Sequence, residues 1–410
     1  MYTKHVKTKF SLALLLCLIL CLVKLPAPVA AETELNFRWI LPPEFYRGND
    51  FHNNRAWVQR EQSGPWTLFD TDGNVIKDGF MARSIAQSAT HNTIFRAIEN
   101  DSETGWDMFG FLDDYSGDIL LVPKPYRSGD APFFHDGIAS RREENGLRGF
   151  IDFEGRWIIL PIYENFFPMQ DGLVPARKDG KWGIIDRNGE VVIDFRFEGL
   201  RILGNGLFVA SYGEFYGLVN INGEWVTEAI YERFFRPHSP SRLIAAQKDG
   251  KIGYLDENGN VVIDFRFVGV GYGMRRGLQV HNGYFTFNDG RAVVFLPREE
   301  EASLPISMEQ LIALHSGGRI ADTIYKWVVI NESGDIVPTE QYDVIWPFHG
   351  GLAPAIRDNR WFMLDTEGNE YPLPHAFVRG EVSLARSDDG RIFRAIFRNE
   401  EKTGYFRVMD

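Results

Sequence analysis

An aspartate or asparagine recurs along this chain, usually with a glycine three residues later, and that recurrence restricts the possible folds more than any other feature. The anchors are Asp70, Asp113, Asp152, Asp186, Asn220, Asp256, Asn288, Asn331 and Asp365. Glycine follows at the third position in seven of these nine, while Gly290 comes one residue early and Gly117 one late. Successive anchors lie 43, 39, 34, 34, 36, 32, 43 and 34 residues apart, which is a repeat carrying insertions. Asp or Asn at the first turn position suits a type I turn, and glycine at the fourth can adopt the left-handed backbone that completes a bulged hairpin. Each anchor is therefore predicted to close a β-hairpin.

The flanking columns say how these hairpins pack. The residue just before the anchor is apolar in every copy, from Phe69, Leu112 and Ile151 through Leu364. The one before that is apolar in eight copies, with Thr286 the exception. Neighbouring side chains on a strand point to opposite faces, so this strand is predicted to be buried on both. Four residues ahead of the anchor stands a mostly aromatic column: Trp66, Phe109, Trp182, Tyr216, Tyr284, Trp327 and Trp361. Glycine follows it in five copies (Gly110, Gly149, Gly183, Gly217, Gly253), where a missing side chain lets backbone or a ring approach closely. The aromatics read as core between repeats rather than as a sugar-stacking ladder.

A third apolar run follows the turn. In two copies, 191–197 and 261–267, it is the identical Val-Val-Ile-Asp-Phe-Arg-Phe. Each repeat opens on a run such as Gly172-Leu173 to Ala176 or Gly351-Leu352 to Ala355. The expected unit is thus a three-stranded antiparallel meander, with room for a short fourth element near Tyr163-Glu164-Asn165-Phe166.

The stretch Asp179-Gly180-Lys181-Trp182-Gly183-Ile184-Ile185-Asp186-Arg187-Asn188-Gly189 resembles the core of the WG (KWG) repeat, with the likeness extending over roughly residues 35 to 370. The resemblance implies a repeat-rich and commonly exported protein. It carries over no catalytic or binding residue.

The chain ends suggest how the array terminates. Arg38-Trp39-Ile40-Leu41-Pro42 resembles Arg156-Trp157-Ile158-Ile159-Leu160-Pro161, the last strand of a repeat, while Val382, Ala385 and Arg391 to Phe397 read as the opening of one. A ring closed by pairing the two ends uses this permutation and removes exposed sheet edges. The expectation is an all-β, propeller-like toroid of about nine repeats plus a composite terminal unit. An open β-solenoid with modified caps and two smaller modules are the alternatives. Residues 298–318 read as an insertion, with a capping box at Ser307-Met308-Glu309-Gln310 opening a short helix.

Residues 1–31 read as a signal peptide: Lys4, Lys7 and Lys9 precede the apolar run Phe10 to Val23, and Val29-Ala30-Ala31 supplies a cleavage site. Secretion or display at the cell surface follows, leaving residues 32–410 as the repeat array. Both cysteines, Cys17 and Cys21, fall inside that segment, so the remainder has no disulfide or thiolate metal site. Its loss removes four lysines and no acids, leaving 40 basic against 56 acidic residues, a formal charge of −16. Such a surface repels phosphate backbones, which argues against nucleic acid.

Chemistry-bearing motifs are sparse. Asp70-Thr71-Asp72-Gly73-Asn74 begins like a calcium loop, but Met81 stands where an EF-hand needs its bidentate glutamate, and the segment falls in the turn column. Ser387-Asp388-Asp389-Gly390 reads as a turn for the same reason. The histidines form no metal-ligand spacing, and neither a phosphate loop nor a nucleophile elbow is present. No cofactor, metal or catalytic residue is expected. The expected function is a non-catalytic binding or scaffold module recognising a protein or a cell-envelope glycan. An envelope polysaccharide hydrolase with a loop-assembled carboxylate pair and a purely structural surface role are the alternatives. Candidate ligand-facing aromatics are Phe166, Phe167, Phe234, Phe235, Trp346 and Phe348, which fall outside the core columns.

Overall fold

The computed structural model describes residues 37–87, 93–126, 137–235, 242–269, 285–297 and 325–409, apart from 144, 153, 375–376, 379–381 and 388–389. Residues 1–31, read above as a signal peptide, and the insertion at 298–318 lie outside the described residues. Among those described, every regular element is a β-strand, and the strands form nine separate antiparallel sheets. In chain order they occupy residues 47–80, 84–126, 139–163, 165–197, 199–219, 233–268, 291–337 and 344–372, here blades 1 to 8. Blade 9 is made from both ends of the chain: Phe37–Phe45 pairs with Lys402–Val408, which continues through Ile392–Phe397 to Val382–Arg386. The ring is therefore closed, and the molecule is a nine-bladed β-propeller.

Six of the blades have four strands and three have three among the described residues. Blade 4 shows the full unit: a short first strand Asn165–Phe166, then Leu173–Lys178, Lys181–Asp186 and Val191–Phe197. The fourth element expected near 163–166 is thus the first strand of a blade. The first strands lie toward the axis, because the turns that follow them touch from blade to blade. Asp289 Oδ2 accepts the Gly351 N–H at 3.0 Å, a Cβ on Gly390 would meet the backbone of His349 and Gly350, and the Phe51 N–H reaches Ser387 Oγ at 3.1 Å. The fourth strands line the rim, where Val191, Val261 and Ile336 are half exposed.

The sequence columns acquire physical causes here. The third strand of each blade is buried on both faces: Ile184 with Ile185, Leu218 with Val219, Tyr254 with Leu255, Met363 with Leu364. The anchor turns hold themselves together. The Gly189 N–H donates to Asp186 C=O at 3.1 Å, while Asp186 Oδ1 accepts the N–H groups of Asn188 and Glu190. Asn220, Asp256, Asn331 and Asp365 repeat this geometry. At Asp256 the Asn260 side-chain amide, joined by backbone N–H groups, holds the carboxyl below the usual carboxylate range. Asp70, the start of the calcium-like stretch, spends its carboxylate the same way on Asp72 and Asn74.

Glycine after the aromatic is required by a bulge. Trp182 lies opposite Phe197 and Ile184 opposite Ile193, so the fourth strand bulges across the residue between. A Cβ on Gly183 would sit 2.6 Å from the Ile193 carbonyl oxygen and 3.0 Å from the Phe195 ring. The same collision arises at Gly253 with Phe265, and at Gly404 with Trp39 and Pro43. Gly404 shows that Lys402-Thr403-Gly404 is the Lys-Trp-Gly equivalent of blade 9.

One repeat count needs correction. Nine anchors and a composite unit imply ten blades, yet Asn288 closes no third-to-fourth-strand hairpin. It exchanges N–H and C=O with Arg291, as Gln170 does with Leu173 and His52 with Arg55. Asn288 thus sits in the turn before a second strand, and its early glycine, Gly290, marked the difference. Arg266 of blade 6 reaches the Gly334 carbonyl of blade 7, as Arg196 of blade 4 reaches Gly223 of blade 5. Blades 6 and 7 are therefore adjacent.

Candidate binding face

Antiparallel meanders alternate direction, so each blade sends two kinds of loop to each face of the ring. The first-to-second and third-to-fourth turns share one face. The second-to-third hairpins and the links between blades share the other.

The residue leaving the first strand occupies an equivalent place in three blades. The N–H groups of Phe167, Phe235 and Trp346 donate to Pro175, Ala245 and Pro354 C=O at 2.9, 2.9 and 2.8 Å. Their rings meet different fates. Phe167 is 43% exposed and stacks on Trp182, with centroids 4.6 Å apart and planes at 18°. Trp346 is half-buried and stacks on Trp361 at 5.0 Å and 28°. Phe235 is buried against Phe285.

Burial thus divides the six sequence candidates. Phe234, Phe235 and Phe348 are core residues, so these three are corrected from ligand-facing to packing positions, while Phe166 is half-buried between Phe150 and Tyr163. The cause is the short first strand, whose side chains are enclosed by the neighbouring second strand and the adjacent blade. Phe167 and Trp346 remain, each backed by the tryptophan of the repeat. One face of the Phe167 ring is covered and the rest is open, an arrangement that suits stacking of a flat, weakly polar ligand surface.

The face of the hairpins and links is tied down by a glutamate column absent from the sequence reading. Glu164, Glu198 and Glu232 accept the N–H groups of Gly180, Gly213 and Gly250 at 2.9, 2.8 and 3.0 Å, clamping each link onto its own blade's hairpin. The signal was available: Tyr163-Glu164, Phe197-Glu198 and Tyr231-Glu232 stand 34 residues apart. Those hairpins carry basic pairs in three blades, Lys178 with Lys181, Lys248 with Lys251 and Arg357 with Arg360. Blade 5 has Tyr212 and Phe215 instead, 71% and 43% exposed, and these form a second aromatic surface. Among the described residues, no group of three His, Cys, Asp or Glu is placed to hold a metal ion.

The closed ring of three- and four-stranded antiparallel units defines the class as a repeat-built β-propeller. Six stretches, residues 35–62, 149–182, 182–214, 216–251, 252–272 and 327–361, match the family described as WG containing repeat. The chain therefore carries repeats of this family in six regions. No curated protein matches it in sequence. Among solved structures, a eukaryotic initiation factor is 9% identical with TM-score 0.46, over 80% of this chain and 86% of that one. The WD40 propeller domain of Doa1 is 10% identical with TM-score 0.27, over 92% and 98%. Virginiamycin B lyase from Staphylococcus aureus is 11% identical with TM-score 0.27, over 92% and 99%. None of these likenesses bears on what the chain binds.

Proposed function

We propose that this propeller is an exported, non-catalytic binding module that holds a protein or a cell-envelope glycan on the face carrying Phe167 and Trp346. The observation that supports this reading most is the exposed Phe167 ring stacked on Trp182 where the equivalent Phe235 is buried. An exposed aromatic held flat by a second ring costs little side-chain entropy when a ligand covers it. Export rests on the signal-like segment at 1–31, and secreted material beginning after Ala31 by mass spectrometry would support it.

The test is capture by the purified ring, residues 35–410, from envelope material split into glycan and protein fractions. Saturable capture of one fraction, weakened about tenfold or more by Phe167→Ala with Trp346→Ala, is the expected result. Capture unaffected by that pair would reject this face. Release of reducing sugar during the assay would replace the binding reading with a hydrolase.

A further inference from the structure

The rim strand of blade 3 lacks the charges that the rim strands of blades 4 and 6 carry. In blades 4 and 6 the exposed side of the fourth strand carries Val192, Asp194, Arg196 and Val262, Asp264, Arg266. The arginine of each set reaches the next blade's turn, at Gly223 and Gly334. Blade 9 shows Ile40, Pro42 and Glu44 there, and blade 1 has Asp78 at the aspartate position. Blade 3 has the same register, with Phe150 opposite Ile159 and Ile151 opposite Trp157, as Ile184 is opposite Ile193 and Ile185 opposite Val191. Yet its exposed side carries Ile158, Leu160 and Ile162, which are 42%, 64% and 46% exposed.

Three aliphatics thus stand in a row on a rim strand with no charged side chain between Arg156 and Glu164. An exposed apolar edge strand is a hazard that folds normally blunt with charge, as blades 4 and 6 do with Asp and Arg. Its retention calls for an occupant, and the strand's own symmetry says which. Counted outward from Leu160, Ile158 mirrors Ile162, and Arg156 mirrors Glu164. Two such strands crossing antiparallel about a two-fold axis at Leu160 bring Ile158 against Ile162 of the partner subunit and Arg156 against Glu164 of the partner subunit. The charges complement each other at both ends. Arg156 already pairs with Asp152 at 2.7 Å, and Glu164 with Arg177 at 3.4 Å, so the contact extends existing ion pairs.

We propose that the fourth strand of blade 3, Trp157–Tyr163, is the interface of a symmetric dimer of this chain, with Leu160 on the two-fold axis. Pro161 has no N–H, so side chains carry the contact rather than a continuous backbone ladder. The same patch serves both subunits, which makes the assembly close at two copies instead of growing into a filament.

The ring itself supplies the fitting substitutions. Leu160→Asp with Ile162→Arg restores the residues that blades 4 and 6 carry, so folding is expected to survive, with the thermal midpoint as control. Sedimentation of residues 35–410 is expected to give a dimer that dissociates on dilution, and the double variant a monomer. Arg156→Glu and Glu164→Arg chains are each expected to dimerise about tenfold more weakly alone. Mixed, they regain the dimer, because only unlike chains then bring opposite charges together. A monomeric parent at all concentrations overturns the proposal, as does a dimer indifferent to the Leu160 and Ile162 changes.

Discussion

At the residue scale, the Trp-Gly pair divides its work between the two positions. The aromatic fills the space between blades: Trp66, Trp182, Trp327 and Trp361 are all buried, and the indole N–H groups of Trp66 and Trp327 donate to Ala82 and Asp343 C=O at 3.1 and 2.9 Å. The glycine makes room for the bulge of the strand beside it. Gly183→Ala places a methyl 2.6 Å from the Ile193 oxygen, and backbone cannot swing aside as a side-chain tip can. The expected cost is about 1–3 kcal/mol, read as a lower urea midpoint at unchanged slope. The close approach was legible in the sequence because the column is glycine in five copies. The bulge was not, because it depends on pairing between strands whose register no single column encodes.

At the element scale, a blade is held to its neighbour by apolar packing and by a few directed contacts from the rim strand. The two identical Val-Val-Ile-Asp-Phe-Arg-Phe segments show what those contacts are for. Arg196 and Arg266 lie over Phe197 and Phe267 at 5.2 and 5.1 Å and donate to the turn carbonyl of the following blade. Arg196→Ala and Arg266→Ala are each expected to cost about 1 kcal/mol. Because they serve different interfaces, the double variant is expected to show the sum within about 0.5 kcal/mol in denaturant unfolding. A large excess over the sum would mean that the two interfaces are coupled around the ring. The segments' identity was plain in the sequence, but their partners stand 27 and 68 residues away and become visible only when blades lie side by side. The Asn288 anchor was misread for a related reason. An Asn-Asp-Gly turn before a second strand and an Asp-x-x-Gly turn before a fourth strand use the same residues, and only strand pairing separates them.

At the scale of the whole molecule, closure joins the two ends of the chain. Arg38 and Arg407 are Cα partners across the seam, which is further fastened by the Arg394–Asp50 ion pair at 2.9 Å and the Tyr405 hydroxyl donating to Asn49 C=O at 2.6 Å. Burial pushes the Tyr405 phenol up, so it stays a neutral donor. Paired positions in an antiparallel ladder lie within disulfide reach. Arg38→Cys with Arg407→Cys in residues 35–410, which contain no other cysteine, is expected to cross-link on oxidation. The product should run as a circular species on a denaturing gel and resist unfolding by about 4 kcal/mol or more. A reduced pair that never oxidises would mean that the ends do not meet. The alternation of turns and doubly buried strands made the all-β repeat and its permuted ends readable from the chain alone, because those patterns depend on neighbours within one hairpin. Blade number, the burial of Phe234, Phe235 and Phe348, and the exposure of Phe167 and Leu160 were settled by packing between blades. A ring's curvature leaves inner strands crowded and rim strands open, and residues of the same type then acquire opposite roles according to their distance from the axis.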